Sequence, residues 1–215
     1  MTRVDGEVTP TLGSRRLPQG RAPSRFVTPH FIGGGWRLSE EGAPRAKLLV
    51  MVGEIERVFA ELNRQSVRFL VAGGVAVVLH GYLRTTADLD LIVRLEPENI
   101  LRAVRALESL GYHPRAPVLA EDFADESIRE SWIQEKNLQV FSFLSDQSPQ
   151  LEVDLFVREP FDFEVVYKQA KETQLDKTSV RVVPRDILID MKRRTGRPRD
   201  LEDAEALEAL GEPRE

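Results

Sequence analysis

The chain has 215 residues, 41% of them hydrophobic, a net charge of −5, three histidines and no cysteine. This is enough apolar material for one packed domain with appendages, and it excludes a disulfide-stapled scaffold, a thiolate metal centre and a protein that coats nucleic acid through bulk charge. His30, His80 and His113 are scattered along the chain, so any metal would be a hard cation on carboxylate oxygens. No apolar run approaches the ~18 residues of a membrane span and the N-terminus lacks a secretory apolar core, so the expectation is a cytoplasmic protein without membrane contact.

Residues 1–44 are rich in Pro, Gly, Ser and Arg and show no sustained period, which predicts a disordered or extended arm ahead of a domain spanning 45–215. Its arginines outnumber its acids, a balance suited to an anionic partner or simply to a solvated tail. Leu48, Met51, Val52, Ile55, Phe59 and Leu62 then recur at three- and four-residue spacing and predict one apolar helix face. Val67 to Val71 is a β-compatible run closed by Gly73-Gly74, and VAVVLHG after it suits a short buried helix. Leu89 to Val93 predicts a second strand and Pro97 to Leu110 a helix stopped by Gly111. LQVFSFL at 138–144 and LEVDLFV at 151–157 alternate on either side of the polar SDQSPQ, which predicts a hairpin on the same sheet. Two closing helices are expected within 184–211, one stopped by Gly196 and the next opened by Asp200 with Asp203 as a cap. The fold class is α/β (α+β): a small mixed sheet flanked by helices, with a helical C-terminal segment.

Residues two apart on a strand share a face, so Asp88 and Asp90 project together while Leu89 and Leu91 point into the core. Two carboxylates side by side at the start of an apolar strand repel unless a cation or proton relieves them. A lone Asp-x-Asp is a weak signal. It gains weight from the glycine pair to its left, because a strand that ends in Gly73-Gly74 and opens a helix offers backbone N–H groups to phosphate with no Cβ in the way. Arg84 and Thr86, just before the acids, either contact phosphate or cap the strand. His80 reads as a satisfied pocket residue.

The run Gly73-Gly74, Ala76, His80-Gly81, Arg84, Thr86 and Asp88-Leu89-Asp90-Leu91 resembles the signature of the minimal nucleotidyltransferase superfamily, with its polymerase β-like fold, and especially its AbiEii-like toxins and related bacterial members. Aminoglycoside nucleotidyltransferases and polymerase β-like enzymes more often have Gly-Ser where this chain has Gly73-Gly74, so a hydroxyl is missing. The resemblance implies a third acid on a nearby strand, which falls on Asp154, and a metal site for Mg²⁺ on Asp88, Asp90 and Asp154. It also implies catalysis by these three acids and a triphosphate held by Gly73, Gly74, Arg84, Thr86 and Lys192. For Lys192 two roles stay open: a phosphate contact, or an ion pair with Asp200 or Asp203 that joins the last helices. The activity implied is Mg²⁺-dependent transfer of a nucleoside monophosphate from a nucleoside triphosphate to an acceptor hydroxyl. RNA or a partner protein in a toxin-antitoxin setting is the acceptor favoured by the basic cluster from Lys192 to Arg199 and by the N-terminal arm. A small hydroxylated molecule such as an aminoglycoside, walled by Glu121, Asp122, Asp125 and Glu126, is the alternative, and a nucleotide-binding module without turnover is the third reading. The oligomeric state is left open.

Overall fold

The computed structural model describes residues 30–32, 35–37, 43–148, 151–175 and 177–211, with side chains from residue 52 onward among those of the first helix. Two units are distinguished, residues 1–40 and 41–215. In the first, β1 (His30–Ile32) pairs with β2 (Gly35–Arg37) as an antiparallel hairpin with Phe31 opposite Trp36. This hairpin falls within the expected arm, most of which lies outside the described residues.

The second unit begins with α1 (Ala43–Arg64), β3 (Phe69–Val71), α2 (Gly73–Leu79), β4 (Asp88–Val93) and α3 (Pro97–Ser109). After them come β5 (Tyr112–Pro114), a 3-10 turn at Ala120–Ala124, α4 (Glu126–Lys136), β6 (Val140–Ser145) and β7 (Glu152–Phe156). The chain closes with α5 (Phe163–Gln169), β8 (Glu172–Leu175), β9 (Thr178–Arg181), α6 (Arg185–Thr195) and α7 (Pro198–Ala209). The five-stranded sheet has the order β3-β4-β7-β6-β5, in which β4 and β7 are parallel and the other neighbours antiparallel. Among the described residues no helix is long and apolar enough to cross a membrane.

The alternation in β4 and β7 sorts the sheet into two chemically different faces. Leu89, Leu91, Val93, Val153 and Leu155 are buried on one face, while Asp88, Asp90, Glu152 and Asp154 occupy the other. Phe59 of α1 stacks on Phe69, whose register partner is Val93, so α1 covers the apolar face. Ile55, Phe59 and Leu62 of the expected helix stripe are buried there and Val52 is exposed; the side chains of Leu48 and Met51 lie outside the described ones.

Gly196 adopts the left-handed conformation at φ 65 and ends α6 as expected. The cap expected of Asp200 is corrected: α7 starts at Pro198 with Arg197 as its N-cap and no side-chain cap bond, because Asp200 already accepts from Lys192 and Thr195. α6 is tied back to the sheet, since Val183 N–H donates to the Val71 carbonyl at 3.0 Å and the His80 ring meets the Val183 carbonyl at 2.8 Å.

Candidate active site

The site forms where β3 gives way to α2 beside the first residues of β4. Gly73 takes φ +58, a conformation that costs glycine little, and a Cβ there would lie 1.7 Å from Asp90 Oδ2. The Asp90 carboxylate therefore rests directly on the glycine turn, and the Gly74 N–H donates to it. At Gly74 a Cβ would stand 2.6 Å from Thr86 Oγ1 and 3.2 Å from Arg84 Cζ. The space a serine side chain at position 74 would need is thus taken by Thr86 and Arg84. This gives a steric reason for the glycine that departs from the Gly-Ser pattern.

Strand register brings the third acid in. Asp90 pairs with Asp154 across the parallel β4–β7 ladder, and Asp88 with Glu152. Neighbouring strands run ~4.8 Å apart, so the carboxylates of Asp90 and Asp154 share one patch of the sheet face. Burial pushes the Asp154 carboxyl up to about 6; the charges of Asp90, Glu152 and Asp88 add to this, and a hydrogen bond from the Ser142 hydroxyl opposes it. Asp154 Oδ1 is buried and has no hydrogen-bond partner. Burial likewise raises Asp90, with Asp88 adding to it and Lys192, the Gly74 N–H and Arg84 working against it.

Two basic side chains approach from the C-terminal helices and the β4 approach loop. Lys192 is buried, with Nζ 2.7 Å from Asp200 Oδ1 and 2.9 Å from Asp203 Oδ2. Asp203, also buried, accepts a second ion pair from Arg84. Burial works to raise the Asp200 carboxyl, but Lys192 and Thr195 outweigh it and hold it below its usual value. Arg199 donates to the Thr85 carbonyl and lies 3.1 Å from the Thr85 hydroxyl, so α7 grips the loop 84–86 at two points. Between the two roles left open for Lys192, the ion pair is present, and its charge still acts on Asp90.

The structure therefore gathers Asp88, Asp90, Asp154, Gly73, Gly74, Arg84 and Thr86 around one turn, with Lys192 behind Asp90. His80 is spent on the Val183 carbonyl, and burial holds its ring below the usual imidazole range, hence neutral. Of the acids at 121–126, Asp125 caps α4, accepting from Ser127 N–H at 2.8 Å and Ile128 N–H at 3.2 Å. The sequence offers Asp203 as part of a helix cap and as one possible partner of Lys192, and it does not single out Ser142. The spacing of Asp200 and Asp203 after a basic cluster was a legible signal for the first, whereas nothing local marks Ser142.

Among the described residues no group of three or more His, Cys, Asp or Glu side chains stands arranged as a metal-holding cluster. The donor set nevertheless suits a hard divalent cation: it is all oxygen, Asp90 and Asp154 are in register, they repel each other, and Asp154 Oδ1 is orphaned.

No protein-family model matches the chain, and no curated sequence matches it. Solved structures do. The chain is similar to ANT(2'')-Ia in complex with adenylyl-2''-tobramycin at 15% identity and a TM-score of 0.50, over 75% of this chain and 90% of that one. It is similar to a solution structure of that antibiotic-resistance factor at 14% identity and a TM-score of 0.50, over 76% and 85%. The lincomycin-bound lincosamide antibiotic adenylyltransferase LnuA matches at 13% identity and a TM-score of 0.48, over 76% and 96%. At such identities the likeness speaks for the fold, and this chain has the nucleotidyltransferase fold.

Proposed function

We propose that the protein is a Mg²⁺-dependent nucleotidyltransferase that moves a nucleoside monophosphate from a nucleoside triphosphate to an acceptor hydroxyl. The observation that carries the reading is the register pairing of Asp90 with Asp154, with one Asp154 oxygen buried and unpartnered. Asp88, Asp90 and Asp154 would hold the metal, whose chemistry is to neutralise phosphate charge and lower the pKa of the acceptor hydroxyl. Asp154, set beside the acceptor, would also serve as the base that takes its proton. The acceptor oxygen bonds to the α-phosphorus as the bond to the leaving pyrophosphate breaks, and the proton passes to Asp154. Arg84 and Lys192, held by Asp203, would offset triphosphate charge, and Gly73-Gly74 leave room for its close approach.

The motif resemblance to AbiEii-like toxins supports RNA or a protein as acceptor. Its second support, the basic cluster, is weakened, because Lys192 pairs with Asp200 and Asp203, Arg193 with Glu208, and Arg199 with Thr85. With those cations occupied, a small hydroxylated acceptor stands beside it as the second reading. Incubation with each α-labelled triphosphate and Mg²⁺, tracing label into RNA, protein and small molecules, tests both. Label in no pool, with triphosphate bound tightly, would favour a binding module without turnover; absence of triphosphate binding would end the nucleotidyl-transfer reading.

A further inference from the structure

β5 stops early for a covalent reason. It carries Pro114 and is followed by Pro117, and its antiparallel ladder with β6 goes no further than Arg115, whose N–H donates to the Ser142 carbonyl at 2.9 Å. Continued in the same register, the ladder would set Pro117 opposite Val140, and proline has no N–H to give. The chain turns off instead, with Val118 N–H donating to the Ala116 carbonyl at 2.8 Å. β6 reaches back to Val140, between Gln139 and Phe141, which bond to β7. The Val140 N–H and C=O therefore face the abandoned edge, and among the described residues they meet no partner there.

A cavity of about 200 Å³ lies along this edge. Val118, Trp132, Leu138 and Val140 give it apolar walls, and Leu119, next in sequence to Val118, is left 69% exposed. Trp132 stacks on Phe141 at 5.1 Å between ring centroids, and Phe141 is the register partner of the buried Leu155, so this wall belongs to the sheet face opposite Asp154. The ionisable groups in the lining are Arg115 and Lys136, with no carboxylate among them. Arg115 is engaged by Glu152 at 2.9 Å. Lys136, exposed in the last turn of α4, has no ion pair among the described residues.

The edge has three unmet needs: an amide partner for Val140, an apolar group for the walls, and a negative charge for Lys136. The end of a polypeptide supplies all three. A small anion without amide groups leaves Val140 unpaired, and an internal stretch of chain would need a second, acidic side chain in a space that suits one. The volume lies below the ~300–1,000 Å³ of drug-sized sites. We infer that the open edge of β6 is a docking surface for the free C-terminus of a partner polypeptide whose last residue is apolar. The incoming end adds to β6 where β5 stops, its terminal side chain packs beside Trp132, and its α-carboxylate meets Lys136.

Three forms of one N-acetylated peptide, Thr-Val-Thr-Val-Leu, separate the contributions: the free acid, its C-terminal amide, and the free acid N-methylated at the last residue. The chain has two tryptophans, Trp36 and Trp132, so in full-length protein carrying Trp36→Phe the fluorescence reports Trp132 alone. The expected result is that the free acid changes that fluorescence and releases or takes up heat in calorimetry. Amidation should weaken binding about tenfold or more, roughly one charge-assisted contact, and N-methylation should weaken it as well, because it removes the donor for the Val140 carbonyl. Lys136→Glu, at an exposed position, should abolish the preference for the acid over the amide at an unchanged melting temperature. Equal binding of acid and amide would show a merely apolar groove, and equal binding of the N-methylated peptide would show that no strand is added; either overturns the inference. So does the absence of both heat and fluorescence change with the free acid at millimolar concentration.

Discussion

Replacing Asp203 with alanine tests whether the C-terminal helices hold the cations of the site. Asp203 has a side chain 3% exposed and accepts from both Arg84 and Lys192. Its removal leaves Lys192 with Asp200, while Arg84 loses its carboxylate at a position only 13% exposed. Removing one partner of a buried pair costs ~3–5 kcal/mol, and the partial exposure of Arg84 and the surviving Asp200 contact put this variant near ~3 kcal/mol. At ~2–4 °C per kcal/mol for a chain of this size, the melting temperature should fall by roughly 6–12 °C. Lys192→Ala should cost less, ~1–2 kcal/mol, because Asp203 keeps Arg84 and Asp200 keeps Thr195. Lys192 is 8% exposed, so the ~1 kcal/mol ceiling of a surface pair does not apply to it. Urea denaturation of both variants with unchanged m-values supplies the comparison. The reasoning is refuted if Asp203→Ala stays within ~0.5 kcal/mol of the parent or costs less than Lys192→Ala.

Asp154 has a folded-state carboxyl near 6, above its unfolded value, so between roughly pH 4 and 6 the folded state binds more protons. Metal-free stability should therefore rise as pH falls from 7 to 5, and Asp154→Asn should remove that increment in melting curves; a slope of the opposite sign counts against the buried acid. Asp90→Asn relieves the repulsion with Asp88 and Asp154, so the metal-free melting temperature should hold or rise while transfer is abolished, and a loss of several kcal/mol would make the acid structural. Gly74→Ser drives a side chain into Thr86, and overpacking of this kind costs ~1–3 kcal/mol; the double variant with Thr86→Ala should recover part of it, and an undiminished melting temperature in the single variant would show that the space is free. Lys192→Ala should weaken Mg²⁺-triphosphate binding about tenfold to a hundredfold by calorimetry, a loss of ~1.5–3 kcal/mol; unchanged affinity removes it from the nucleotide site.

The amino-acid sequence alone determined what depends on neighbours along the chain. Alternation in DLDLIV and LEVDLFV set which residues face the core, and Gly73, Gly111 and Gly196 marked turns that proved to need positive φ. It did not yield β5, α4, α5 or the β8–β9 pair, since three- and four-residue strands such as YHP, ETQL and TSVR carry too few alternating apolar positions to stand out. Nor did local pattern fix the neighbours in the sheet. The third acid was proposed from a motif, but only the parallel pairing of β4 with β7 brings Asp154 beside Asp90, and the antiparallel pairing of β6 with β7 sets Ser142 beside Asp154. Likewise, Asp203 meets Arg84 across 119 positions of sequence, a contact that exists because α7 packs over the loop before β4. Strand order, register and buried ion pairs are decided by packing among distant segments, and local periodicity carries no information about which distant segment will be the partner.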